Sequence, residues 1–168
     1  AYGNVGRLVA AKAKALGMPV MAFDPFVPAE KMVAEGIEAA QSLEQLYSSC
    51  DFVSIHIPAT PQTVGSIRAS LVGLMPKGGC LVNTARKEVI DETSLLELLK
   101  LRGDLKYVTD VAPDATDEFA EALGKRYFAT PKKMGAETAE ANVNAGLAAA
   151  RQIVAYFATG CEKYRLNK

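Results

Sequence analysis

The sequence predicts a doubly wound α/β fold, a parallel sheet with helices on both faces, and three observations predict it. Short apolar runs alternate with helical stretches along the chain. Those runs are apolar throughout, the pattern of strands buried on both faces. The length of 168 residues, with 49% hydrophobic and 23% charged side chains, suits one domain with a substantial core.

Taken in order, residues 7–16 are alanine-rich and predict a helix closed by Gly17, a residue that accepts the left-handed cap conformation. Residues 19–23 form a short strand candidate ending at Asp24-Pro25. Helix is expected over 28–35 and a helical turn over 42–47. A strand over 51–56 is broken by Pro58 and Pro61. Residues 66–74 read as helix, 76–79 as a turn and 80–83 as a third strand. Asp91 and Glu92 place negative charge at the start of a helix reaching about residue 100. Residues 106–109 lead into Asp110, a polar helical piece covers 117–123, and 127–129 form a last short strand. From about residue 136 to Gly160 the chain reads as one long alanine-rich helix, with Val143, Leu147, Ala150, Val154 and Phe157 on one stripe.

Composition limits the partners. The 19 basic and 19 acidic side chains cancel, so nothing draws the chain to nucleic acid or to an anionic membrane surface. No apolar run reaches the roughly 20 residues of a membrane span. Cys50, Cys80 and Cys161 are odd in number and scattered, without metal-ligand spacing, so no metal site is expected and a reducing compartment such as the cytoplasm is.

Parallel sheets of this kind bind ligands at the carboxyl ends of their strands, where Asp24, His56, Thr84 and Asp110 are expected. Gly3 and Gly6 supply the second and third glycines of a dinucleotide-binding loop, with Ala1 in the first place. Asp24 follows about 20 residues on, where its carboxylate accepts ribose hydroxyls and repels a 2′-phosphate. The expected cofactor is therefore NAD. The strand that should precede this loop is not in the sequence, which reads as part of a larger polypeptide: a cofactor domain over 1–136, lacking its first strand, and a helix and tail over 137–168.

The run from Met75 to Arg86, Met-Pro-Lys-Gly-Gly-Cys-Leu-Val-Asn-Thr-Ala-Arg, followed by Val89-Ile90-Asp91-Glu92, resembles the NAD-dependent D-2-hydroxyacid dehydrogenases. The stretch from Asp51 to Pro58, Thr60-Pro61-Gln62-Thr63 and Thr109-Asp110-Val111 resemble the family's other blocks in the same order. The similarity covers essentially the whole chain. It implies a Rossmann-like domain, a homodimer, and a missing N-terminal segment that builds the substrate domain. It also implies oxidation of a D-2-hydroxyacid to a 2-oxoacid, nearest to the members that oxidise 3-phosphoglycerate for serine synthesis. Other implied acids are glyoxylate, hydroxypyruvate and lactate, and a non-catalytic NAD-responsive scaffold is the alternative.

The resemblance assigns Arg86 to the acid, where its planar fork can grip a carboxylate. Asn4 and Val5 would lie under the pyrophosphate, and Ile57, Pro58 and Thr63 along the adenosine and phosphates. Thr84, Ala85 and Asp110 would surround the nicotinamide. Ile57 and Pro58 are equally well explained as core packing. The family's usual histidine and glutamate are both missing: Thr130-Pro131 leads into Lys132-Lys133-Met134-Gly135, and Ala115 stands five residues beyond Asp110. Counting back from Gly135 puts Lys133 in the histidine's place, whereas counting forward from Pro131 selects Lys132. A carboxylate beside a lysine base would raise its pKa, so the two changes are chemically consistent. Asp114 is a candidate orienting group, and Asp117 could equally serve.

Overall fold

The computed structural model describes residues 1–132 and 138–165. The chain forms two units, Ala1–Lys132 and Lys133–Lys168. The first is an α/β unit of six helices and six strands: α1 (Asn4–Ala15), β1 (Met21–Ala22), α2 (Ala29–Ala34), β2 (Glu38–Ala39), α3 (Leu43–Ser49), β3 (Phe52–Ile55), α4 (Ala69–Val72), β4 (Cys80–Asn83), α5 (Glu92–Leu101), β5 (Lys106–Thr109), α6 (Thr116–Leu123) and β6 (Tyr127–Ala129). All strand pairs are parallel, as the alternation of elements requires. No described helix is long and apolar enough to cross a membrane.

The strands fall into two groups. β3, β4, β5 and β6 pair in that order, and β1 pairs with β2. The other edges of β1 and β3 have no strand partner among the described residues. A slot of about 110 Å³ is lined from both, by Met21 and Phe23 on one side and Phe52, Ser54 and His56 on the other.

The larger core lies around β3 to β5. Leu81, Val72, Val89, Leu95, Leu99, Leu105 and Phe119 are fully buried there, from strands and from the helices and connections packed on them. A smaller cluster of Tyr2, Ala10, Ala22, Met32 and Ile37 packs α1 and α2 onto β1. One guanidinium fastens the sheet's lower end. Arg102, after α5, donates to the Gly73 and Met75 carbonyls (3.0 and 3.2 Å) and pairs with Asp104, which accepts from Gly78 N. That environment, led by the Arg102 hydrogen bonds, holds the Asp104 carboxyl well below its ordinary range.

Local chemistry sets the helix ends. Ser42 accepts from Gln45 N and opens α3, and Asp91 accepts from Ser94 N and opens α5. Gly17 takes φ +82° just after α1, in the region that favours glycine. Three elements differ from expectation. The first strand shrinks to Met21–Ala22, β2 was not foreseen, and the helix expected over 66–74 keeps only Ala69–Val72. The last is shortened because Ile67 bridges to Ile90 and holds extended backbone. The sheet is also wetter than expected at its margins, with Phe52 and Phe128 each about three-fifths exposed.

The second unit is the helix α7 (Ala139–Thr159). Thr138 caps it by accepting from Ala141 N, and Gly160 ends it at φ +68°. Val143, Leu147, Val154 and Phe157 are exposed on this unit.

Candidate active site and cofactor cradle

The chain enters α1 through the glycine loop. Gly3 is the N-cap and offers no side chain, so the first-turn amides of Asn4, Val5 and Gly6 have no capping oxygen. No acidic residue stands in that turn, and an anion is favoured there by the helix dipole. Around Gly3 a side chain would meet nothing within 4 Å, whereas a Cβ on Gly6 would fall 2.4 Å from the Ala1 carbonyl oxygen. Gly3 leaves room for a ligand and Gly6 permits close packing of helix on entering chain, the two jobs such glycines do.

Asp24, at the end of β1, accepts from Tyr2 N (2.7 Å) through one oxygen and from Phe26 N (2.9 Å) through the other. Its carboxylate is thus fixed beside the glycine loop with acceptor capacity to spare. Tyr2 ties the loop a second time: its hydroxyl donates to Glu35 Oε2 at 2.7 Å, and Arg7 forms an ion pair with the same carboxylate. Hydrogen bonds from Tyr2, then Arg7, hold Glu35 below the usual carboxylate range.

β3 ends near His56, whose Nε2 lies 3.0 Å from Ser54 Oγ and whose ring lies against Gly6. Burial lowers its pKa from 6.5. Beyond it, Ile57 packs on the core and Pro58 is exposed. Thr63 accepts from Thr60 N (2.8 Å), which closes this loop on itself.

β4 and β5 are adjacent, with Asn83 opposite Thr109, so the Thr84-Ala85-Arg86 loop and Asp110 stand side by side. Thr84 and Arg86 are exposed, and Arg86 Nη1 donates to the Ala85 carbonyl at 2.9 Å. Asp110 is different in kind. Its Oδ1 is buried and has no hydrogen-bond partner among the described residues, an acceptor in need of an N–H donor. Thr130, after β6, donates to the Asp110 carbonyl at 2.9 Å.

Asp114 is exposed and forms an ion pair with Lys87, whose pKa is raised chiefly by that hydrogen bond. Glu92, the first residue of α5, reaches across and accepts from both Asp114 N and Ala115 N at 3.1 Å. Lys133 and Gly135 lie outside the described residues. Sequence reasoning missed Tyr2, Glu35, Lys87, Asn83, Thr109 and Glu92. The signal available for Asn83 was a polar residue closing an apolar strand.

Taken together, the uncapped first turn of α1, the space over Gly3 and the orphaned acceptor of Asp110 suit a ligand with a central anion and an amide at one end. Residues 1–131 match the family model described as D-isomer specific 2-hydroxyacid dehydrogenase, NAD binding domain. The chain belongs to that family, and its cofactor is NAD. It is 35% identical over 159 residues to D-3-phosphoglycerate dehydrogenase of Methanocaldococcus jannaschii, covering 90% of this chain and 29% of the relative. To (S)-sulfolactate dehydrogenase of Chromohalobacter salexigens it is 35% identical over 137 residues, covering 80% of this chain and 44% of that one. The NAD+-bound crystal structure of 3-phosphoglycerate dehydrogenase from Entamoeba histolytica superposes with a TM-score of 0.87 at 42% identity, over 100% of this chain and 53% of that one. D-Lactate dehydrogenase of Aquifex aeolicus, complexed with NAD and lactic acid, gives 0.76 at 25% identity, over 94% and 51%. The chain thus spans about half, or less, of the relatives it matches.

Proposed function

We propose that the intact protein oxidises a D-2-hydroxyacid to the 2-oxoacid, with 3-phosphoglycerate as the acid and 3-phosphohydroxypyruvate as the product. The observation that carries this reading is the adjacency of the Arg86 loop and Asp110 at the ends of neighbouring strands, in a chain of this family. The similarity to named D-3-phosphoglycerate dehydrogenases supports the choice of acid.

NAD, when bound, supplies the hydride acceptor. The first turn of α1 holds its pyrophosphate, Asp24 accepts from its ribose, Ile57, Pro58 and Thr63 line its adenosine side, and Thr84, Ala85 and Asp110 surround the nicotinamide. Arg86 grips the acid's carboxylate. Lys133 takes the hydroxyl proton during oxidation and returns it during reduction. Positive charge from Arg86 favours the neutral amine such a base needs, and Ala115 removes the carboxylate that would oppose it. In this reading Asp114 orients through its ion pair with Lys87, and the protein acts as a homodimer.

The test is NADH formation by the intact protein with 3-phosphoglycerate, 2-hydroxyglutarate, glycerate and D-lactate, with Lys132→Met and Lys133→Met compared. Turnover that is fastest with 3-phosphoglycerate and lost in Lys133→Met supports the reading. Turnover unchanged in Lys133→Met removes that amine from the chemistry. The lack of the family's histidine and glutamate favours a second reading, an NAD-responsive scaffold, which the same assay supports if NAD binds and no acid is turned over.

A further inference from the structure

Two polar side chains, Asn83 and Thr109, are buried almost completely at the core's upper end, where a polar group must be hydrogen-bonded to be tolerated. They face each other in register, one closing β4 and the other β5. Asn83 uses both ends of its amide on the loop that follows it. Its Oδ1 accepts from Ala85 N at 3.0 Å, and its Nδ2 donates to the Arg86 carbonyl at 3.0 Å. The main chain of Arg86 is therefore gripped from within the core, while its guanidinium stays exposed.

Thr109 holds the holder. Its Oγ1 lies 2.8 Å from the Asn83 and Val111 carbonyl oxygens and accepts from Val111 N at 3.0 Å. Asp110 N reaches the same Asn83 carbonyl at 3.3 Å. The loop bearing Arg86 and the loop bearing Asp110 are thereby fixed to each other through one residue's amide and carbonyl. A side chain as long as arginine can place its fork reproducibly only if its Cα is held, because small errors at the base are multiplied along the stem.

We propose that Asn83 is a positioning residue that sets where the Arg86 guanidinium meets the substrate carboxylate, with Thr109 fixing Asn83 in turn. This rests on the reading of Arg86 as the carboxylate grip. Aspartate at 83 would keep the acceptor for Ala85 N but lose the donor to the Arg86 carbonyl, so Asn83→Asp removes one half of the clamp at nearly constant volume.

The test uses the intact protein. The KM for 3-phosphoglycerate and the calorimetric affinity for NAD are measured for Asn83→Asp, Arg86→Gln and the double variant, with Thr109→Val and Thr109→Ser alongside. The expectation is a KM raised about tenfold in Asn83→Asp, with NAD affinity unchanged within about twofold, and little further rise when the same change is made in Arg86→Gln. If Asn83→Asp does not fold, Thr109→Val raising the KM when Arg86 is present but not in Arg86→Gln, with Thr109→Ser restoring it, carries the same conclusion. Equal effects of Asn83→Asp with and without Arg86, a loss of NAD affinity instead of acid affinity, or no change in either would overturn the proposal while leaving Arg86 in place. An acid KM unchanged in Arg86→Gln itself overturns the carboxylate grip and, with it, the positioning role.

Discussion

At the scale of single residues, two groups give sharp expectations. His56 has a folded pKa below its ordinary 6.5, because burial disfavours the imidazolium. The unfolded chain therefore binds a proton first as pH falls. Stability from this residue is complete above about pH 6.5 and is lost as pH drops through the lower folded value. Urea unfolding at several pH values should show that loss, and His56→Gln should remove it while leaving the carboxylate-driven decline at lower pH. Asp24 is the second. With its carboxylate held by Tyr2 N and Phe26 N, Asp24→Ser should lower NAD affinity and narrow the preference over NADP by about tenfold. Titration with both dinucleotides checks this. That Asp24 ends a strand and stands beside the glycine loop was legible from their spacing along the chain. Tyr2, Glu35 and Lys87 were not, because a contact between residues about 30 positions apart leaves no local mark in the chain.

Among the elements, α6 is instructive. Its N-cap is Ala115, which offers no oxygen. Glu92 from the start of α5 instead holds the chain just before it, accepting from Asp114 N and Ala115 N, whereas Ser42 and Asp91 accept from first-turn amides of α3 and α5. Glu92→Ala should cost about 1 kcal/mol of stability, the ordinary net value of a hydrogen bond, read as a lowered urea midpoint with unchanged slope. The strands β3, β4, β5 and β6 were all legible from their apolar runs, and β4 matches its expected residues throughout. β2 was not, because Glu38-Ala39 carries no apolar pattern and is extended only through pairing with β1. The helix expected over 66–74 is shortened for a related reason: Ile67 pairs with Ile90 and stays extended.

For the molecule as a whole, the larger of the two apolar clusters among the described residues carries most of the buried side chains. Phe119, buried between Tyr107 and Tyr127 with ring centroids 5.6 and 5.5 Å away, belongs to the large one. Phe119→Ala should cost about 3–5 kcal/mol, measured by chemical denaturation. Amide hydrogens of β4 and β5 should exchange more slowly than those of β1 and β2, whose ladder is two residues long and whose cluster is built from five residues. The fold class was legible because alternation of strand and helix is written along the chain.

In the seating proposed above, the dinucleotide is a mechanical strut. It reaches from the glycine loop and Asp24, beside the smaller cluster, to Thr84 and Asp110, beside the larger one, and so holds the two clusters together. Occupancy then firms the weaker half most. At a free concentration one hundred times its dissociation constant the gain is about 2.7 kcal/mol, and it should appear first as slowed exchange around Ala10 and Ala22.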